Sequence, residues 1–403
     1  MANAPVSQGQ ASNFPGGFPA GLGLLGLNLV FPKANSQIFY VNNSTGSKPQ
    51  NFMQGVDQNR GTYLRPMATL AKALSVCLPG NGDIVVLGPA HAETVSTATA
   101  LAVNTSGVTV VGVGTGESRP SLTFDTLIGA TATITGANVG FQNIIFKANF
   151  ANITTLFTLS NASGTGVFAG TTLTITAPTG TFNVGNMVVG VGVANNTFIT
   201  AQVSGTTGGA GVYTTSLSQT VASVAINTAP RGFVLQNCEV RDTSSALNFL
   251  NLVATGTTDN ACDALTLQGN KIFLLATSGV VNLLALNSTT DRVQITDNYY
   301  QARTTNAGAV LVYASGKFTT NFLMTNNIFN LVNAAGTATG YLITSNTASS
   351  TGFIHGNYDF CLANTTYASS LQVTAGTGLR FGQNWHARTA DKSPGTVLPA
   401  ADS

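Results

Sequence analysis

The chain runs to 403 residues with a formal net charge of +2, and only 7% of its residues are charged. Ordinary soluble domains carry roughly 25%, so this surface suits burial against copies of itself or a larger assembly. Without a Lys/Arg cluster it has no electrostatic footprint for nucleic acid.

Residues 1–37 set Phe14, Phe18, Leu22, Leu24, Leu25, Leu27, Leu29 and Phe31 among glycines and prolines, and the first lysine is Lys33. The Gly and Pro spacing leaves no run long enough to cross a bilayer, and the basic start of a signal peptide is missing. Those apolar side chains are too many for a solvated tail. They are expected to bind a partner, with the segment acting as an assembly arm docked on a neighbour.

Residues 38–164 are expected to open the main body. IFYVNN reads as a strand from Ile38 to Asn43. PMATLAKALSVCLPG reads as a helix with Pro66 in its first turn and Met67, Leu70, Leu74 and Cys77 on one face, stopped by Pro79 and Gly80. A helix with one oily face suits the exposed end of a solenoid. GDIVVLG and GVTVVGVG follow as the first coils, and Gly112 stands 31 residues before Asn143.

Residues 165–228 alternate Thr, Val and Ile between Gly-rich turns, with no charged residue. That pattern predicts a small inserted β domain, a contact module or a spacer. Residues 229–390 carry the most informative feature. An asparagine closes a short apolar run at Asn237, Asn270, Asn298, Asn327, Asn357 and Asn384, in steps of 33, 28, 29, 30 and 27 residues, with Asn143 as an earlier member. The runs alternate at period 2 (Leu265 and Leu267, Val293 and Ile295, Phe322 and Met324), which excludes helix pairs. A second apolar strand lies between successive asparagines. Short strands repeating about every thirty residues describe coils of a parallel β-helix, expected to be right-handed.

All seven asparagines are expected to form one internal ladder, because Asn tolerates left-handed backbone angles and bonds to the next coil. The inward pairs before Asn143 and Asn237 are Val139/Phe141 and Phe233/Leu235, one position later than in the following coils. A bulge or a shifted ladder is expected there. Residues 391–403 read as a polar tail.

The segment GTYLRPMATLAKALSVCLPGNGDIVVLGPAHAETV resembles the opening of right-handed parallel β-helix proteins of phage virions, related in fold to pectate lyases. Gly61, Thr62, Pro66, Thr69, Gly82, Asp83, Ile84, Val86, Pro89 and Glu93 occupy matching places, while Met67 and Leu70 replace the usual aromatic and isoleucine. The resemblance spans roughly residues 38–390 and implies an all-β fold: a right-handed parallel β-helix with an N-terminal capping helix and an inserted β domain. It does not bring the calcium-binding carboxylates and catalytic arginine of pectate lyases.

Asp263 and Asp291 each lie seven residues before an asparagine, so they are expected to stack on adjacent coils, at about 5 Å. That separation would suit a retaining glycosidase pair, with a bound cation as a further option. Asp is equally common in turns before strands. No repeated aromatic groove for sugar rings is apparent, and no nucleophile-elbow, P-loop or dinucleotide motif is present.

Cys77, Cys238, Cys262 and Cys361 form no CxxC pair. They read as reduced core or turn residues of a protein assembled in the host cytoplasm, although an even count leaves disulfides open. His91, His355 and His386 share no metal-ligand spacing. The expectation is therefore a non-enzymatic phage virion protein without cofactor or metal, decorating or cementing the capsid exterior. Its expected partners are the major capsid protein, other virion proteins and copies of itself, a trimer included, and not nucleic acid or membrane. The alternative is a tail spike or receptor-binding protein with polysaccharide-degrading activity.

Overall fold

The computed structural model describes residues 36–43, 54–97, 101–125, 130–148, 155–242, 248–253, 263–274, 282–304, 309–314, 316–333, 341–344, 350–361, 378–388 and 395–396. They form a parallel β-helix whose coils lay strands on three faces. The first face has ten parallel strands in chain order: Ile38–Val41, Ile84–Leu87, Thr109–Gly112, Gly140–Gln142, Val234–Gln236, Thr266–Gln268, Gln294–Thr296, Phe322–Thr325, Thr351–His355 and Gly378–Phe381. The second face runs from Ala92–Val95 to Trp385–Arg388 and ends in a short antiparallel strand, Gly395–Thr396. The third has seven strands among the described residues, from Leu101–Val103 to Tyr341–Thr344.

Period-2 alternation on the first face sends one side chain per short strand inward. Phe141, Leu235, Leu267, Ile295, Met324 and Ile354 stack in register down the interior, all fully buried. In-register stacking lets each coil cover the apolar face that its neighbour cannot bury alone. Beside the insert the core is filled by Phe141, Phe146, Phe157 and Phe233, with contacting ring centroids from 4.8 to 6.2 Å apart.

From Gly140–Gln142 to Phe322–Thr325, left-handed residues bracket every first-face strand. Asn138, Gly232, Ala264, Arg292 and Asn321 precede successive strands, and Asn143, Asn237, Gly269, Asp297, Asn326 and Gly356 follow them, all with φ between 52° and 75°. Asn, Asp and Gly reach this region most readily. Gly269 is needed for space as well, since a Cβ there would lie 2.5 Å from Asn237 Oδ1.

This geometry corrects two members of the asparagine series. The ladder proper begins at Asn270. Asn143 and Asn237 sit one position earlier, in the left-handed column, because Leu235 pairs with Leu267 and so aligns Asn237 with Gly269. The ladder position on their own coils is held by Ile144 and Cys238. Strand register passes through this region without a bulge, so the offset is a shifted ladder.

The capping helix is Leu70–Val76, with Leu70, Ala73 and Leu74 buried. Pro66 and Met67 are not its first turn. Met67 is extended, its N–H donating to Tyr40 O and its carbonyl accepting from Asn42 N–H, so it adds to the first strand. Thr69 is the N-cap, with Oγ1 accepting from Lys72 N–H.

Between third-face strand Thr155–Ser160 and first-face strand Val234–Gln236, residues 163–229 form a separate four-stranded antiparallel sheet. Its own core contains Phe168, Leu173, Ile175, Phe182, Tyr213 and Ile226. It is tied to the coils where Asn183 Nδ2 donates to Thr135 Oγ1 (2.9 Å) and Asn186 Nδ2 to Thr135 O (2.8 Å).

Candidate functional site

The corner between first and second faces holds the most regular polar chemistry in the molecule. Asn298 Oδ1 accepts from Asn270 N–H and Asn270 Nδ2, both at 2.9 Å. Its Nδ2 donates to Leu267 O, Thr296 O and Asn327 Oδ1 at 2.8, 2.9 and 3.0 Å. Asn327, Asn357 and Asn384 repeat the pattern, with Asn384 as the last rung. An amide fits because each corner offers both unpaired carbonyls and unpaired N–H groups, and Asn carries an acceptor and a donor on one short stem. Cys238 makes the truncated version: Asn270 Oδ1 accepts its N–H, and its thiol reaches Phe141 O and Gln236 O. These are the carbonyl positions that the amides use on later coils.

At the entry to the first face, Asp263 and Asp291 stack on adjacent coils. Asp263 is buried, and its Oδ1 accepts the backbone N–H of Asp291 at 2.9 Å. Burial first, then the neighbouring Asp291 charge, pushes its carboxyl above the usual range, despite that bond. Asp291 behaves oppositely. Burial opposes its ionisation, but donors from Thr320 (2.7 Å), Asn321 (2.8 Å) and Arg292 (2.8 Å) outweigh it and hold the carboxyl below its ordinary value. Both carboxylates thus serve as inter-coil acceptors. Arg231 places its guanidinium 5.5 Å above the Phe198 ring in the insert, and its charge still favours ionised Asp263 without overcoming burial.

The outer surface of the second face divides along the solenoid. Towards its N-terminal end, Glu239 is bonded by both Arg119 and Arg241, and Arg241 also pairs with Glu117. Burial works against the Glu239 charge, but the two guanidiniums prevail and lower its carboxyl. Farther down, the outward position beside Glu239 passes in register through Lys271, Tyr299, Ile328, Tyr358 and Trp385. Ile328, Tyr358 and Trp385 are 38%, 45% and 39% exposed. Around the corner Phe353 is 42% exposed and stacks on the His355 ring at 5.5 Å. Tyr358 and Trp385 therefore lie side by side in a row continued by Ile328 and the half-buried Tyr299. Each of its members directly follows a ladder asparagine, a signal the sequence contains.

Residues of the resembling segment hold the N-terminal end together. Asp83 accepts from Gln37 N–H and Leu78 N–H at 2.9 and 2.8 Å. Glu93 accepts the Leu70 N–H at the helix start (2.8 Å) and pairs with the buried His91 (3.2 Å), whose Nδ1 accepts from Asn43 N–H. An open hollow of about 570 Å³ beside the cap is lined by Phe39, Asp57, Arg60, Met67 and Lys72.

Cys77 and Cys238 are free thiols, each pushed up to about 12 chiefly by burial. His355 lies on the first face and His386 on the second. Among the described residues no group of three or more His, Cys, Asp or Glu is placed to hold a metal, and no helix is long and apolar enough to cross a membrane. The partner-binding residues expected between Phe14 and Phe31 lie outside the described residues, as does Cys262.

No family model matches the chain, and no curated protein matches it. Among solved structures it is similar to the GH136 lacto-N-biosidase from Eubacterium ramulus, at 10% identity and a TM-score of 0.30, over 85% of this chain and 68% of that one. Likeness at this level carries no argument about activity.

Proposed function

We propose that this chain is a structural protein of a phage particle, a decoration or cementing protein on the capsid exterior that works by adhesion. Residues 1–37 attach it to the major capsid protein or another virion protein, and the stiff β-helix is the body they carry. One observation supports adhesion over catalysis. The stacked carboxylates Asp263 and Asp291, the pair best placed for glycosidase chemistry, are engaged in bonds between coils. The low charge of the chain agrees with a surface meant to be covered.

The test is co-sedimentation of full-length protein with particles lacking their own copy. The Leu24→Asp/Leu27→Asp double variant should lose occupancy at least tenfold, and equal occupancy would refute attachment through the arm. Incubation with host surface polysaccharide should release no new reducing ends. Release abolished by Asp263→Asn would replace adhesion with hydrolysis by a tail spike.

A further inference from the structure

The corner column that carries the amide ladder holds an imidazole near its N-terminal end. His91 directly precedes Ala92, which pairs in register through Ser121, Ile145 and Glu239 to Lys271. His91 therefore stands on the second coil where Asn270 stands on a later one. Its backbone behaves alike: His91 O accepts from Ser121 N–H at 2.8 Å, as Asn270 O does from Tyr299 N–H. So does its side chain. Nδ1 accepts from Asn43 N–H of the first coil at 3.1 Å, as Asn298 Oδ1 accepts from Asn270 N–H at 2.9 Å. The ring is fully buried, and Pro120, Ile144 and Cys238 fill the same corner position between it and Asn270.

An amide oxygen stays an acceptor at any pH, whereas Nδ1 accepts only while it carries no proton. The Asn43 N–H fixes the neutral ring with its proton on Nε2, which donates to Glu93 Oε2 at 3.2 Å. A second proton, on Nδ1, sets donor against donor and strands Asn43 N–H, while the imidazolium still faces the Glu93 carboxylate. Among the described residues Glu93 is the charged group bonded to the ring, and its Oε2 also accepts from Leu70 N–H at the start of the cap helix. The other charges at this end are engaged elsewhere or stand apart. Asp57, in the loop before the helix, accepts from Ala68 N–H, Thr69 N–H and Thr69 Oγ1. Arg60 and Lys72 line the hollow beside the cap, and Arg119 on the next coil is bonded to Glu239.

We infer that His91 is a pH-sensitive rung: protonation keeps the ring on Glu93 and releases Asn43, freeing the corner of the first coil from the second. The amide rungs from Asn270 onward carry no group that titrates, so acid loosens one end of the solenoid and leaves the other. Histidine is the side chain that changes charge between about pH 5 and 8. An opened chain takes the proton freely near about pH 6.5, so states with Asn43 released are favoured as pH falls through that range. The strand at this corner, Ile38–Val41, is the one that residues 1–37 lead into, and the switch stands whatever that segment binds.

Amide hydrogen exchange of the full chain tests this, read as protection so that the intrinsic pH dependence of exchange cancels. Between about pH 7.5 and about pH 5, protection at Asn43 should fall at least about tenfold, while protection at Asn270 and Asn298 changes by less than about twofold. His91→Asn substitutes the amide used farther down and should abolish the pH response at Asn43. Glu93→Gln should keep the response but move its midpoint to lower pH, because the imidazolium loses its counter-charge. Ring nitrogen NMR shifts should show Nδ1 gaining its proton over the same pH range in which Asn43 loses protection.

Unchanged protection at Asn43 across this range overturns the inference. So does a pH response that survives His91→Asn, which would assign it to another group, or one that disappears in Glu93→Gln, which would assign it to the carboxylate. A parallel loss at Asn298 would show acid opening the whole solenoid and sink the switch as well.

Discussion

Asn298→Ala removes a rung from the middle of the amide ladder, and the structure says which groups it strands. Asn270 N–H and Leu267 O each lose their side-chain partner, while Asn270 Nδ2 keeps Leu235 O and Asn327 Oδ1 keeps Asn298 N–H. Asn270 N–H is left unpaired at a site only 2% exposed, and Leu267 O and Thr296 O each lose a side-chain donor, so the variant should lose about 2–3 kcal/mol. Asn237→Ala is the control, because Asn237 looks equivalent in the sequence. It is exposed, its own N–H already donates to Gln268 O, and the change should cost only the left-handed preference, about 1 kcal/mol. Chemical denaturation of both variants compares the midpoints, and hydrogen exchange at Asn270 reads the local effect should the solenoid unfold in parts. Equal losses at the two positions would refute the assignment of Asn237 to the neighbouring column. A loss below about 1 kcal/mol at Asn298 would refute the energetic role of the ladder itself.

Cys238→Asn should extend the ladder by one rung, its amide reaching the Phe141 and Gln236 carbonyls that the thiol now meets, and should raise stability by about 1 kcal/mol; lower melting would show that the pocket at this coil rejects the larger side chain. Asp263→Asn should raise melting temperature at pH 7. The folded carboxyl is held above its unfolded value, so its penalty is absent below the unfolded value and grows as pH rises through the folded one. The gain should therefore vanish near about pH 3, and a gain independent of pH would point to packing instead of charge. Leu74→Asp should destabilise the N-terminal end by about 3 kcal/mol, through lost burial and an unpaired charge under the cap, and unchanged melting would show that this helix face does not cover the core.

The sequence by itself determined the architecture, because a β-helix repeats one local problem on every coil and solves it each time with the same residue types. The period near thirty, the inward pairs such as Leu267 and Ile295, and the ladder from Asn270 to Asn384 all follow from that repetition. So does the cap helix, through its apolar spacing, although its start at Thr69 did not: Pro66 fits a first turn locally, and only pairing of Met67 with Tyr40 and Asn42 makes that stretch extended. Tertiary register decided what spacing could not. Asn143 and Asn237 satisfy the same local pattern as the later asparagines, but strand pairing shifts them by one position into a left-handed column, where the Asn143 amide bonds Gly112 O and Gly114 O and not a ladder amide. Cys238 was unreadable as a rung for the same reason. The roles of Asp263 and Asp291 likewise depend on depth and on donors from the next coil, since residues that meet across a coil are some thirty positions apart. The row lay in plain sight, one residue after each asparagine from Asn298 onward, but only stacking in three dimensions brings Tyr299, Ile328, Tyr358 and Trp385 into register.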